Sequence, residues 1–152
     1  MNALDKRILT ILQEDATLSI AQIAERVGLS TSPCWRRIQN LERNGVIRRR
    51  VALVDRQALN LGIDVFVSIR TRHHSADWLQ NFAETVSGIP EVVEFYRMSG
   101  ETDYLMRVVV PDIPAYDRFY KRLIEQVDID DVSSSFAMER IKYTTSLPVD
   151  YA

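Results

Sequence analysis

Side chains suited to binding nucleic acid are concentrated between residues 30 and 50, which hold six arginines and one acidic residue, Glu42. In a helix that starts near Thr31, successive residues are turned by about 100°. This rotation places Cys34, Ile38 and Leu41 on one side of the helix, as expected for residues that pack into a core. The opposite face carries Ser32, Arg36, Gln39, Asn40 and Arg43. Arginine pairs with guanine, amides pair with adenine, and hydroxyls bind bases or phosphates. The face therefore predicts a helix that reads base edges.

The ends of this helix predict contacts with the phosphate backbone. Ser30 and Thr31 stand at its start, where free N–H groups can face a phosphate, and Pro33 is tolerated in the first turn. Arg37 lies on the flank of the polar face. Beyond Gly45, residues 46–47 and 51–54 are apolar and predict the two short strands of a wing. Between these two apolar segments lie three further arginines that we expect to contact DNA: Arg48, Arg49 and Arg50.

Two shorter helices are predicted before this one. Leu4, Ile8, Ile11 and Leu12 recur at helical spacing up to about Glu14. The second helix has Ser19 and Gln22 as a capping box and Gly28 as its C-terminal glycine. Two helices around a tight turn, the second bearing arginines, are typical of a helix-turn-helix DNA-binding domain. We assign it residues 1–55. A small helical domain for protein contacts would leave the arginine face unexplained.

Cys34 and Trp35 are expected to have structural roles. Cys34 lies on the core stripe, which favours a buried apolar residue over a redox or metal switch. We expect Trp35 to pack at the helix edge and not to stack on a base. A single cysteine excludes an intrachain disulfide and fits a reducing cytoplasm. No apolar run reaches the roughly 20 residues of a membrane span, and no secretory signal stands at the start.

Charge is distributed unevenly along the chain. Residues 1–55 have nine basic and six acidic side chains, whereas residues 56–152 have ten and fifteen. The first part is thus +3 and the second −5, which gives the net charge of −2. This asymmetry favours a polyanion partner for the first part only. Charge alone would fit a solvated helix face equally well.

The second part of the chain predicts an α+β domain. After a connector at 56–62, strands and helices alternate as β-α-β-β-α-β over residues 63–152, the ferredoxin-like pattern of an antiparallel sheet with helices on one face. The strands are expected at 63–69, 92–98, 104–110 and 132–143, and the helices at 78–86 and 114–127. We expect Phe66, Phe95, Phe136 or their neighbours on the uncovered face of the sheet, where a second copy would cover them as a homodimer.

Catalytic chemistry has little support in the sequence. The chain has no glycine-rich phosphate loop, no set of metal ligands and no nucleophile beside a base, so we expect no enzyme, no metal and no cofactor. His73 and His74 are adjacent and would diverge in an extended segment. Glu101 and Asp103, next to Gly100, fit the binding of a zwitterion better than hydrolysis. Ordinary turn chemistry explains the same residues.

The chain resembles the Lrp/AsnC family of transcription regulators along nearly its whole length. The resemblance rests on LDKRILTILQEDATLS, IAERVGLSTSPCWRRIQNLERNGVIRR, SGETDYLMRV and SSFAMERIKYTTSLPVD. It implies a winged helix-turn-helix followed by a RAM domain, which binds amino acids and forms dimers that assemble into octamers. The family's turn motif matches Gly100, Asp103 and Tyr104. The implied effector contacts also include the neighbours Ser99, Glu101 and Thr102 and, facing them, Ser133, Ser134 and Ser135.

TRHHSADW and the tail most resemble the cysteine-responsive DecR branch of the family, which suggests cysteine as the effector. The predicted function is a cytoplasmic regulator that binds double-stranded DNA in response to a small amino acid. Two alternatives remain open at this point. One is an architectural protein that compacts DNA without an effector, and the other is an amino-acid-binding enzyme module.

Overall fold

A computed structural model describes all residues from 1 to 152, and the chain forms two compact units. The first comprises Met1–Leu53 together with Ile141–Ala152, and the second comprises Val54–Arg140. The last twelve residues therefore group with the first unit, whereas the sequence assigned them to the RAM domain. No helix is long and apolar enough to cross a membrane.

Three helices form the first unit: α1 (Ala3–Glu14), α2 (Ile20–Val27) and α3 (Thr31–Arg43). Ser19 and Gln22 form the expected capping box at α2, and Gly28 ends that helix with a φ of 73° in the left-handed region. The three helices share one core, in which Ile8, Ile23 and Ile38 are almost completely buried. Each helix is amphipathic and buries only its apolar side, so three short helices together can enclose this core.

The wing strands expected after α3 are absent from this unit. Residues 46–47 and 51–54 form no ladder, and the side chains of Val51, Leu53 and Val54 are more than half exposed. β-branched residues favour strands only when a second segment satisfies their backbone hydrogen bonds, and no part of this chain pairs with them. The prediction of a two-stranded wing was wrong for the isolated chain.

The C-terminal tail packs on α1 within the first unit. The Gln13 side chain accepts a hydrogen bond from the Leu147 N–H at 2.7 Å and donates to the Leu147 carbonyl at 3.1 Å. The Lys6 ammonium donates to the Asp150 carbonyl at 3.1 Å, and Val149 packs against the helical core. These contacts explain why the tail belongs to the first unit and does not extend the last strand.

The second unit is a four-stranded antiparallel sheet with two helices. Its elements are β1 (Ile63–Arg70), α4 (Ala76–Ser87), β2 (Val92–Arg97), β3 (Tyr104–Val110), α5 (Ile113–Gln126) and β4 (Asp131–Phe136). The strand order is β2-β3-β1-β4, so the expected α+β fold and element order are confirmed. Strand β4 ends at Phe136, well before the predicted end at Tyr143.

Both helices pack on the same face of this sheet. Alternate residues of β1 and β3, among them Val65, Val67 and Met106, are fully buried against Phe82 of α4 and Phe119 of α5. The other face has no helix over it. We call it the open face, and Asp64, Phe66, Ser68, Glu94, Tyr96, Leu105 and Arg107 lie on it.

Of the three phenylalanines expected on the open face, only Phe66 lies there, with 41 % of its surface exposed. Phe95 lies opposite Met106 in the register and packs edge-on against Phe82, and Phe136 packs edge-on against Tyr116. A bulge between Val92 and Glu94 shifts the alternation of β2, which puts Phe95 on the helix side. Phe95 and Phe136 therefore lie on the helix side, and their neighbours Tyr96 and Ser135 lie on the open face in their place.

Candidate nucleic-acid and amino-acid sites

The polar face predicted for α3 is exposed in the structure. Cys34, Ile38 and Leu41 are buried on the opposite side, while Ser32, Arg36, Gln39, Asn40 and Arg43 are all open to solvent. Two pairs on the face are linked: the Arg43 guanidinium donates to the Asn40 side chain at 2.5 Å, and the Gln39 amide donates to Glu42 at 3.0 Å. Arg36 makes no hydrogen bond or ion pair. It is therefore the arginine on this face that needs no local bond to be broken before it can meet a base.

Arg37 does not belong to this face. Its guanidinium donates to the Asp5 carboxylate at 2.8 Å and to the Asn2 side chain at 3.2 Å. Asp5 and Asn2 form the capping box of α1, so Arg37 joins the third helix to the start of the first. The ion pair gives Arg37 a role within the helical unit, and the DNA contact expected of it stays a prediction.

The start of α3 keeps its polar groups available. Ser30 is the N-cap residue, but its side chain makes no capping hydrogen bond, and Thr31 and Ser32 are exposed beside it. Free hydroxyl and N–H groups at a helix start are suited to a phosphate. The DNA contacts expected of these three residues stay a prediction.

The arginines after α3 differ among themselves. Arg50 donates to the Glu42 carboxylate at 3.0 Å, whereas Arg48 and Arg49 are exposed and have no partner. Glu42 is thus bonded to both Gln39 and Arg50, and it is the only acidic residue in this basic stretch. Free cations in an irregular exposed segment can follow a phosphate backbone at little conformational cost.

The turn between β2 and β3 is a compact loop. The Met98 N–H donates to the Asp103 carbonyl at 2.8 Å and closes it. Gly100 has a φ of 113°, a conformation open to glycine and strained for other residues. Ser99, Gly100 and Glu101 are exposed, while Thr102 and Asp103 are half-buried. We call residues 99–104 the effector turn, since the sequence places the amino-acid contacts there.

Two residues of the effector turn hold it to the sheet. The Asp103 carboxylate accepts a hydrogen bond from the Thr71 N–H at 2.8 Å, and the Asp103 N–H donates to the Ile69 carbonyl at 3.0 Å. Tyr104 is 5 % exposed, and its ring packs against Phe82, Phe95 and Trp78. Asp103 and Tyr104 therefore fix the turn from beneath, and its exposed part is formed by residues 99–101.

The three serines of β4 face in different directions. Ser133 and Ser135 are exposed on the open face, opposite Ser68 and Phe66 of β1. Ser134 lies on the helix side and bonds to the Tyr116 hydroxyl. Ser133 and the effector turn belong to the same end of the sheet, because the register aligns Ile69 with both Val132 and Tyr104. Ser133 is thus the β4 serine best placed to act with the turn.

Ion pairs on the open face were not foreseen from the sequence. Asp64 is 7 % exposed and accepts from Arg56, from Arg107 at 3.0 Å and from Arg140 at 3.3 Å. Arg107 also pairs with Glu94 at 2.5 Å. Burial alone would raise the pKa of Asp64, but the hydrogen bonds from Arg56 and Arg107 outweigh it and hold that pKa below its usual value. The indication in the sequence was an acidic residue, Asp64, among the alternating apolar residues of a predicted strand.

His73, in the segment after β1, makes several contacts with its surroundings. The His73 ring stacks on Trp78 with 5.8 Å between centroids, and its Nε2 lies 3.1 Å from an Asp128 carboxylate oxygen. The His73 N–H donates to the Thr71 hydroxyl at 3.0 Å. Thr71 therefore connects His73 to Asp103 of the effector turn.

A cavity of about 350 Å³ lies at the C-terminal ends of α4 and α5. Glu84, Gly88, Pro90, Arg122 and Gln126 are among its lining residues, and none of them belongs to the effector turn. Nearby, Arg122 pairs with one oxygen of Glu91, whose other oxygen is buried without a hydrogen-bond partner. No group of three or more histidine, cysteine or acidic side chains in the chain is arranged to hold a metal ion.

A helical unit with an arginine-bearing third helix, joined to a sheet domain with an exposed turn, defines a DNA-binding transcription regulator with a ligand-binding domain. Comparison with known proteins assigns the family. The winged helix-turn-helix DNA-binding model matches residues 1–48, and the Lrp/AsnC ligand binding domain model matches residues 64–147. The chain belongs to the Lrp/AsnC family, so the resemblance and the regulatory function predicted from the sequence are confirmed.

Individual relatives agree with this assignment. The DNA-binding transcriptional activator DecR of Escherichia coli is 50 % identical over 151 residues, which are 99 % of each chain. An AsnC family regulator from Agrobacterium tumefaciens, solved by crystallography, is 66 % identical with a TM-score of 0.97 over 99 % of both chains. A regulator from Neisseria meningitidis, crystallised with L-methionine, is 37 % identical with a TM-score of 0.94 over 99 % of this chain and 98 % of that one. All three relatives are named as transcriptional regulators or activators.

Proposed function

We propose that this regulator works as a homo-oligomer whose DNA binding or assembly changes when a small amino acid binds at the effector turn, and that cysteine is this amino acid. The observation that carries the proposal is the fixed geometry of the turn. Asp103 bonds to Thr71, and Tyr104 is buried in the aromatic core, so the exposed residues 99–101 stand on a rigid base. A preorganised turn loses little conformational freedom when it binds a ligand.

The chemistry of the exposed residues suits a free amino acid. Backbone N–H groups around Gly100 can donate to a carboxylate, and the exposed Glu101 carboxylate can accept from an ammonium group. Ser133 offers a hydroxyl at the same end of the sheet. The pairing of both charged ends of the ligand would select amino acids over simple acids or amines.

The open face supports assembly into dimers. Phe66 and Tyr96 are 41 % and 50 % exposed there, and no element of the chain covers them. A second copy placed face to face would remove this apolar surface from water, at about 25 cal/mol per Å². We propose that dimers form in this way and that dimers associate further into octamers. In sedimentation, Phe66→Glu should dissociate the dimer, whereas Glu125→Gln on the exposed side of α5 should leave it intact.

Two resemblances support a sulfur-containing effector. The resemblance to the DecR branch points to cysteine, and the Neisseria relative was crystallised with methionine, so a sulfur-containing side chain is common to both indications. Within a bacterium, such a regulator would act in the cytoplasm, where the chromosome and free amino acids are both present.

A titration of all twenty amino acids against the full-length protein tests the proposal. A ligand that binds only the folded state must raise the unfolding temperature, by RT ln(1 + [L]/Kd) in free energy. We expect cysteine to give the largest rise and to change the affinity for duplex DNA or the sedimentation coefficient. DNA retention that falls with salt, with no response to any amino acid, would instead support the architectural alternative. A response to methionine alone would show that methionine, and not cysteine, is the effector, and would leave the proposed mechanism unchanged.

A further inference from the structure

The indole of Trp35 is an exposed apolar group on the DNA-reading helix. The sequence suggested that Trp35 packs at the helix edge, but 51 % of its surface is open to solvent, and it makes no ring contact with another aromatic side chain. Its neighbours Cys34 and Ile38 are almost completely buried. Trp35 therefore contributes little to the core of the helical unit, and about half of its surface remains free to contact a partner.

The position of Trp35 places it beside the base-reading residues. It is the fifth residue of α3, and Ser32 and Gln39 lie three positions before it and four positions after it, on the same side of the helix. Arg36, which has no partner, follows it directly. In a helix-turn-helix domain the residues in the N-terminal part of the recognition helix meet the base edges. The exposed indole thus stands at the border of the surface that would enter the major groove.

The surroundings of Trp35 fit DNA better than a protein partner. It is the only large apolar side chain exposed on α3, and the exposed Val46, Val51 and Leu53 of the same unit follow the end of that helix in the chain. The core of a protein interface usually presents several apolar residues together. The major groove of DNA presents polar base edges and one kind of apolar group, the 5-methyl group of thymine. A single indole among arginine and amide side chains is complementary to such a surface.

We propose that Trp35 packs against the 5-methyl group of a thymine and is a specificity-determining residue for the DNA site. The proposal rests on the DNA-binding function of the helical unit and adds a base preference to it. Burial of a single methyl group corresponds to about a fourfold change in affinity. Trp35 would then favour thymine over cytosine or uracil at one position in each half of the site.

Thymine-to-deoxyuridine substitution tests the proposal, because it removes only the methyl group. A duplex is first selected from a random pool with the full-length protein, and each thymine is then replaced in turn. The wild type should lose about fourfold in affinity at one position per half-site. Trp35→Ala should bind the thymine duplex about as weakly as the wild type binds the uracil duplex, and should not distinguish the two. Arg36→Ala, the control, should bind more weakly but keep the preference for thymine.

Fluorescence gives an independent readout with Trp78→Phe, which leaves Trp35 as the only tryptophan. Addition of the selected duplex should shift the emission to shorter wavelength and protect the indole from acrylamide. Protection that depends on protein concentration without DNA would overturn the proposal in favour of a protein contact. Two outcomes would overturn the proposal without affecting the DNA-binding function. In one, the protein retains DNA but the indole is not protected; in the other, Trp35→Ala prefers thymine as strongly as the wild type does. If no duplex is retained at all, the DNA-binding function and this proposal both fail.

Discussion

The Arg37 guanidinium donates a hydrogen bond of 2.8 Å to the Asp5 carboxylate and joins the third helix of the DNA-binding unit to the first. The two side chains are 30 % and 18 % exposed, so the pair is partly shielded from water. Neighbouring Arg36 has no such bond. Adjacent arginines on one helix therefore differ: Arg37 holds the helical unit together, whereas Arg36 is unpaired, and we propose that it contacts DNA.

Arg37→Ala should lower the free energy of unfolding by about 1 kcal/mol, a value suited to a partly exposed ion pair. Asp5→Asn should have a similar effect, and the double variant should lose less than the sum of the two, because both changes remove the same ion pair. Urea unfolding measures all three. Arg36→Ala is the matched control and should leave stability within about 0.5 kcal/mol of the wild type. Equal losses from Arg36→Ala and Arg37→Ala would contradict the assignment.

Arg36 and Arg49 should contribute to DNA binding in different ways. Arg36→Ala should reduce the preference for a selected duplex over a random one, since it removes a base contact worth about 1–3 kcal/mol. Arg49→Ala should weaken binding to every sequence and lower the slope of log K against log salt by about 1. Binding isotherms at several salt concentrations distinguish the two effects. Uniform loss of affinity in both variants would show that α3 does not read bases through Arg36.

Asp64 should make the second unit sensitive to acid. Its native pKa lies below the unfolded value of about 3.9, so its stabilising effect is complete above about pH 5 and is lost as the pH falls through the native pKa. Asp64→Asn should cost about 2 kcal/mol at pH 7, less than a fully buried pair, because the partner arginines are 15–34 % exposed. Urea unfolding between pH 2.5 and 7 should show a smaller pH dependence in the variant. Glu125→Gln, which removes an exposed carboxylate without an ion pair, should match the wild type.

Gly100→Ala should distort the effector turn without a steric clash. An added Cβ would meet nothing within 4 Å, but a φ of 113° is strained for alanine and costs about 1–3 kcal/mol. We expect a tenfold or larger loss of amino-acid affinity, measured by calorimetry, and an unchanged affinity for DNA without ligand. Gly88→Ala is the control, because its φ of −80° suits any residue and its Cβ would make ordinary contacts at 3.5 Å. If Gly100→Ala binds the effector with unchanged affinity, the binding site does not lie at the turn.

Cys34 should be chemically inert in the folded protein. It is completely buried in the helical core, and burial raises the pKa of its thiol, so little thiolate is present at neutral pH. A thiol reagent should label the native protein only as fast as the protein unfolds, and should label it at once in urea. Cys34→Ala should remain responsive to amino acids. Rapid labelling of the native protein, or a loss of response in this variant, would instead indicate a redox role.

Local signals in the sequence were reliable where they depend on neighbouring residues. The capping box at Ser19 and Gln22, the left-handed Gly28 and the stripe of Cys34, Ile38 and Leu41 all appear as expected. Helical periodicity and capping involve residues within four positions of one another, so the sequence contains the whole interaction.

Signals that depend on distant partners were less reliable. The sequence could not show that Arg37 meets Asp5, or that the bulge in β2 turns Phe95 towards the helices. The apolar segment at 51–54 has strand-like residues but no partner in the chain.

The sequence by itself determined the element order, the basic reading helix and the family of this protein, because these follow from local periodicity and from motifs read in order. Only the tertiary structure decided which charged side chains are free and which are held. Asp64 shows the reason: its partners Arg56, Arg107 and Arg140 are up to 76 positions away, and only the folded sheet brings them together. The same folding leaves Trp35 exposed and Tyr104 buried, which no local pattern of residues could distinguish.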